Sequence, residues 1–330
     1  MADAIAAGMA PESLAGLLAE LERRRWVVLK GYWKTVAWLL LGTSLVVGIF
    51  AALIWILDQG LWESHLQPRS DLIALTLFSL PPIWLFVAAW AFRRFANGPK
   101  WRYLYRFKAE VFTEVCAHHF PTLKYEPAEG IHYTHFDGSG LFPYACDVYR
   151  SEDRFTGTMG KTTVTFAEAR AERKKRRLTS EGIKTEYHEY FRGLMLVADF
   201  HKHFHSAVRV LPASEDFKLL SREQRVVTED PDFERSFVVL GTDQTDARYV
   251  LSTSMLNRIW KLGRRFGKVR LGFRDENLIL LLPRGRDQFE PSLYRKATSR
   301  RQIQQFVEDI SAALELVTEL NLNTRIWSKR

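Results

Sequence analysis

The chain is poor in cysteine: two in 330 residues, Cys116 and Cys146. That excludes a disulfide framework and any zinc site built on paired cysteines. Phosphate-binding motifs are missing as well. Gly138-Ser139-Gly140 has neither the Lys-Ser/Thr of a nucleotide loop nor the three-glycine spacing of a dinucleotide site, and reads as a turn. Gly241-Thr242-Asp243-Gln244 lacks the ligand spacing of a calcium loop. No repeat or low-complexity tract stands out. Most telling is where charge is missing. Thr35–Leu57 and Leu72–Phe92, 23 and 21 residues long, carry none.

At 1.5 Å of rise per residue those runs extend about 34 and 31 Å as helices, enough to cross a bilayer core. Trp33, Trp38, Trp55, Trp62, Trp84 and Trp90 fall mostly toward the run ends, where interfacial aromatics belong. Pro81-Pro82 interrupts the second run and is expected to kink it. The first run is too long, and starts too far in, for a cleaved leader. Arg23, Arg24, Arg25, Lys30 and Lys34 precede it; Arg93, Arg94, Lys100, Arg102, Arg106 and Lys108 follow the second run. The segment between the runs has only Arg69. By the positive-inside rule both termini lie in the cytoplasm. The expected layout is an N-terminal amphipathic helix over 1–34, a transmembrane hairpin over 35–92 with spans 35–57 and 72–92, and a cytoplasmic domain over 93–330.

What is abundant is positive charge. There are 47 Lys+Arg against 38 Asp+Glu, a net of +9, while 47% of residues are hydrophobic. Leu14, Leu17, Leu18 and Leu21 form a short apolar stripe that reads most simply as an extension of the first span. From Pro99 an exit helix shows Leu104, Phe107, Val111 and Val115 on one face, ending before Pro121. Strands are expected at 147–149, across 155–170 as a hairpin, at 191–200, 207–211, 237–240 and 248–251. A helix capped by Ser252 or Thr253 follows, then a hairpin from 269–273 and 278–282, and a final helix over about 300–320. The pattern is α+β with a largely antiparallel sheet.

Three sets of residues then resemble a known family. Glu229-Asp230-Pro231-Asp232-Phe233-Glu234-Arg235-Ser236-Phe237 leads to Asp243-Gln244-Thr245-Asp246-Ala247-Arg248-Tyr249-Val250-Leu251; Phe191-Arg192-Gly193-Leu194 leads to Ala198-Asp199-Phe200; Ser151-Glu152-Asp153 precedes Gly157 and Phe166-Ala167-Glu168. Together with the two apolar runs, they resemble the bacterial DUF3137 family, membrane proteins of unknown function. The resemblance implies that layout across nearly the whole chain and brings no catalytic residue.

Candidate chemistry is sparse. Asp199, His201, His203 and His205 alternate, which puts their side chains on one strand face, but spread over about 20 Å they suit a basic strand end better than a metal cage. His118-His119 and His132/His135 have no nucleophile or base beside them in sequence, and a helix end accounts for His118. Asp243, Asp246 and Arg248 read either as an ion-pair knot bracing a turn or as a partner surface. Arg170, Arg173, Lys174, Lys175, Arg176 and Arg177, six cations in eight residues, read as a loop after a strand, either solvated or touching anionic lipid. No aromatics interleave them, which argues against nucleic acid. No cofactor is expected. The sequence points to a membrane-anchored interaction or adaptor protein, with an unknown protein partner and anionic phospholipid as candidate contacts. A membrane-face hydrolase or lipid-modifying enzyme is the alternative.

Overall fold

The computed structural model describes residues 12–58, 70–179, 182–199, 206–215, 217, 222–274, 276–285 and 287–320. Two compact units divide the chain: residues 1–107 with 291–300, and residues 108–290 with 301–330.

The first unit is helical. Helix α1 (Glu12–Asp58) carries the amphipathic stretch and the first apolar run as one uninterrupted element, so the stripe over 14–21 is an extension of that helix. Among the described residues one helix is long and apolar enough to cross a membrane, over Ala15–Ala52. Large apolar side chains along its uncharged stretch stand exposed, Trp38, Leu41 and Leu45 among them. Near its N-terminal end the helix is polar and docked. Arg25 donates to the Leu293 carbonyl at 3.2 Å, and the Glu22 carboxylate accepts the Ala297 N–H at 2.7 Å. The second apolar run forms α2 (Ser70–Ala91), which is helical through Pro81 and Pro82. A π-turn (Phe92–Asn97) joins it to α3 (Gly98–Phe107).

The second unit is α+β. A π-turn at Lys108–Phe112 leads into α4 (Thr113–His119). Then come β1 (Leu123–Glu126), α5 (Tyr133–Gly138), β2 (Val148–Met159), β3 (Thr162–Thr179), β4 (Gly182–Asp199), β5 (Val208–Pro212) and β6 (Gln224–Val226). Next are α6 (Pro231–Ser236), β7 (Phe237–Gly241), α7 (Gln244–Val250), α8 (Thr253–Phe266), β8 (Arg270–Arg274), β9 (Asn277–Pro283) and α9 (Arg300–Glu319). The strands make one nine-stranded sheet, ordered β1-β2-β3-β4-β9-β8-β5-β7-β6, with every pairing antiparallel.

Both faces of the central strands are covered. On one, Phe306 of α9 stacks on Phe112 with ring centroids 3.9 Å apart and meets Tyr125, Phe155 and Phe289. On the other, Phe136 and Leu141 lie over Ala167, Ala169, Met195 and Leu281. Two-sided burial explains why β4 and β9 read as continuous apolar runs where they pair. Gly267, at φ +80°, closes α8 in a conformation that favours glycine, its N–H reaching the Gly263 carbonyl at 2.8 Å.

Two local expectations are overturned. Residues 248–251 are not a strand: Asp243 caps α7, and Ala247, Val250 and Leu251 repeat at helical spacing on its buried side. Residues 170–177 are not a loop. They lie within β3 and pair in register with β4.

Candidate functional site

Lys108 is a lysine on an apolar helical stripe, four residues after Leu104 and three before Val111. Its ammonium is buried and lies 2.7 Å from Asp153 Oδ2, 2.6 Å from Glu290 Oε1 and 3.8 Å from Glu152 Oε2. The carboxylate oxygens of Glu152, Asp153 and Glu290 all fall within 4.8 Å of one another, the spacing of a metal cage. Here the ammonium occupies the cation's position. Tyr125 donates its hydroxyl to Asp153 Oδ1. One ammonium among three carboxylates leaves the cluster negative, which favours protons throughout. Burial lowers the Lys108 pKa, but Asp153 and Glu290 outweigh it and hold it above the usual lysine range. Burial pushes Asp153 up to about 6 against the pull of Lys108, and raises Glu290 as well. Asp153 also adopts φ 57°, at an irregularity in β2 between Glu152 and Phe155.

The same cluster ends a strap, Asp287–Glu290, tied across three elements. Arg192 of β4 holds Asp287 at 2.6 Å, Glu168 of β3 accepts the backbone N–H of Gln288 and Phe289, and Lys108 holds Glu290. Burial pushes Glu168 up to about 8, opposed by the Gln288 N–H and reinforced by the charge of Asp153. The motifs Ser151-Glu152-Asp153, Phe166-Ala167-Glu168 and Phe191-Arg192-Gly193-Leu194 therefore meet around one strap. A Cβ on Gly193 would overlap the Leu282 carbonyl. The role is structural: each charged group holds another part of the same unit. The sequence signal that was missed is Lys108, a cation where the helical pattern calls for an apolar residue.

A cleft of about 590 Å³ opens beside α5, lined by His132, Tyr133, His135, Ser151 and Arg154 among others. Three of its polar groups serve the fold. His132 caps α5, accepting the Thr134 N–H at 3.3 Å. Ser151 donates to the Glu168 carbonyl and accepts from Ile131 N–H. Arg154 pairs with Glu126 at 2.9 Å. His118 and His119 close α4 edge to face, and burial followed by the neighbouring His118 lowers the His119 pKa.

The cationic stretch is the feature that no folding role absorbs. β2 stops pairing with β3 at Val148↔Glu172, and β9 stops pairing with β4 at Pro283↔Gly193. Beyond those points no other strand flanks β3 and β4, which form a two-stranded arm of residues 173–179 and 182–188. Tyr190 is the extra residue where the register shifts between Ala171 and Glu172. At the root Arg170 lies 3.0 Å from Glu172 and 2.6 Å from Glu189, so its charge is neutralised there. Arg173 sits 4.4 Å over the Tyr144 ring, and Asp147 accepts the Lys174 N–H at 2.8 Å. The shaft beyond carries Lys174, Lys175, Arg176 and Arg177, all exposed. Seven residues per strand give a length of about 23 Å.

The remaining sequence candidates divide. His201, His203 and His205 lie outside the described residues. Asp243, Asp246 and Arg248 share the start and end of α7, but no ion pair joins them among the described residues. Asp243 instead braces the turn as a cap, accepting the Thr245 and Asp246 N–H groups at 2.7 and 2.9 Å.

Residues 189–322 match the family described as "Protein of unknown function (DUF3137)". The resemblance read from the sequence is thus supported from β4 through α9, and not over the apolar runs or the motifs in β2 and β3. No curated protein matches the chain. Among solved structures the chain is similar to the "crystal structure of the mycobacterial trehalose monomycolate transport factor A, TtfA". That match has 11% identity and a TM-score of 0.34, and covers 66% of this chain and 95% of that one. A likeness this distant carries no argument about function.

Proposed function

We propose that this protein is a membrane-anchored interaction protein of the bacterial cytoplasmic membrane. The spans 35–57 and 72–92 form the hairpin anchor, both termini are cytoplasmic, and the α+β unit works at the membrane surface. One observation carries the anchoring: the helix over Ala15–Ala52 keeps Trp33, Trp38, Leu40, Leu41 and Leu45 exposed, which water disfavours and a bilayer rewards. The basic arm of β3 and β4 then meets anionic phospholipid, and the surface of the α+β unit receives a protein partner. The supporting charge pattern is the cationic flanks of the two apolar runs.

Among the described residues the cleft beside α5 is the feature that favours a membrane-face enzyme. Ser151, Arg154 and His132 are each engaged in holding the fold, which favours the interaction reading. The test is a pair of reporters fused after Arg330. One active only in the cytoplasm gives signal, one active only in the periplasm stays silent, and the protein resists extraction from membranes at high pH. Periplasmic activity overturns the topology; release at high pH overturns the anchor.

A further inference from the structure

The register of the arm sorts its side chains onto two faces, because directly opposed residues in an antiparallel pair point the same way. Lys174↔Tyr187, Arg176↔Thr185 and Leu178↔Ile183 share one face; Arg173↔His188, Lys175↔Glu186 and Arg177↔Lys184 share the other. The first face ends in an aliphatic pair at the tip. Leu178 is 83% and Ile183 69% exposed, with Tyr187 about 13 Å further back. Nothing in the folding of the unit asks for apolar residues there.

We propose that the arm dips into an anionic bilayer by this one face. Leu178 and Ile183 enter the acyl boundary, Lys174 and Arg176 reach lipid phosphates, and Tyr187 sits at headgroup depth. This rests on the reading above that the chain is membrane-anchored and its basic stretch meets anionic lipid. Two observations argue for lipid. An isolated two-stranded ribbon is marginal in water and needs a surface to lie on. Residues 173–188 hold six cations against two carboxylates, so the surface must be anionic. The aliphatic tip decides between anionic surfaces. It gains from acyl chains and offers nothing to nucleic acid, whereas lysine and arginine stems suit an interface where apolar and charged parts separate.

The test uses the full chain in lipid nanodiscs, anionic or neutral, with Cys146→Ser so that an environment-sensitive fluorophore attaches only to an introduced cysteine; Cys116 is buried. Labels at 178 and 183 should lose most of their emission to chain-brominated lipid in anionic discs and little in neutral ones. Labels at 175 and 186 should be spared. A label at Thr185, on the apolar face, should escape quenching once Leu178→Asp and Ile183→Asp are added. Equal quenching on both faces, or none at 178 and 183, overturns the proposal. A quencher on the headgroup separates the two levels. If it dims position 186, and stops doing so when Arg173, Lys174, Lys175, Arg176 and Arg177 become Gln, surface contact survives without insertion. If it never does, lipid contact fails as well. Shielding of 178 from a water-soluble quencher without any lipid quenching assigns the tip to protein and also overturns the proposal.

Discussion

β3 and β4 are each 18 residues long, and their two halves live in different environments. In the inner half Phe166, Ala167, Met195 and Leu196 have no exposed surface, and β2 and β9 flank the pair. In the outer half every described residue of 173–178 and 182–185 is exposed, and no other strand flanks the pair. The same backbone ladder runs through both. The difference teaches that hydrogen bonding alone does not determine which part is fold and which part is surface device. Burial does, and burial should govern how each half answers to mutation.

The largest effects belong inside. Phe166→Ala should cost about 3–5 kcal/mol, since a fully buried ring leaves a cavity. Lys108→Met should cost about as much, 3–5 kcal/mol, by leaving Asp153 and Glu290 unpaired. Both are read from denaturant melts of the detergent-solubilised full chain. Loss of under about 1 kcal/mol in either would mean the inner half is not the stable part. At the boundary, Gly193→Ala should cost about 2 kcal/mol or more, because the added methyl meets the Leu282 carbonyl where β4 parts from β9.

The strap gives a pH signature. Glu168 is pushed up to about 8 from its unfolded value of 4.5, and Asp153 to about 6 from 3.8. The folded state therefore binds these protons more tightly than the unfolded chain. Their contribution to stability is complete below the unfolded pKa values and is lost as pH rises through about 6 and then about 8. Stability should fall between about pH 4 and 8, with the later part of the fall removed by Glu168→Gln, whose carbonyl still accepts the strap N–H groups. An unchanged slope in that variant would show that Glu168 is not the group titrating. The smallest effect lies outside: Leu178→Ala, or the five-Gln arm, should move stability by under about 0.5 kcal/mol.

What the sequence revealed follows the same division. The apolar runs were legible from uncharged length, β4 and β9 from continuous apolar segments buried on both faces, and the helices α8 and α9 from the period of their one buried face. The arm was read as a loop because a ribbon exposed on both faces carries no hydrophobic alternation. Residues 248–251 passed for a strand because four residues are too few to separate a period of two from one of 3.6. The Lys108 network was invisible because it joins residues from 108 to 290, and no local pattern marks which acids a lone lysine will meet.

The comparison between the two halves is tested most directly by hydrogen exchange on the full chain in nanodiscs, neutral against anionic. In neutral lipid, amides in 173–179 and 182–188 should exchange fast while those in 164–171 and 194–198 stay protected. In anionic lipid the outer amides alone should slow, and high salt should restore their exchange. Outer amides as protected as the inner ones in neutral lipid, or indifferent to lipid charge, would contradict the account.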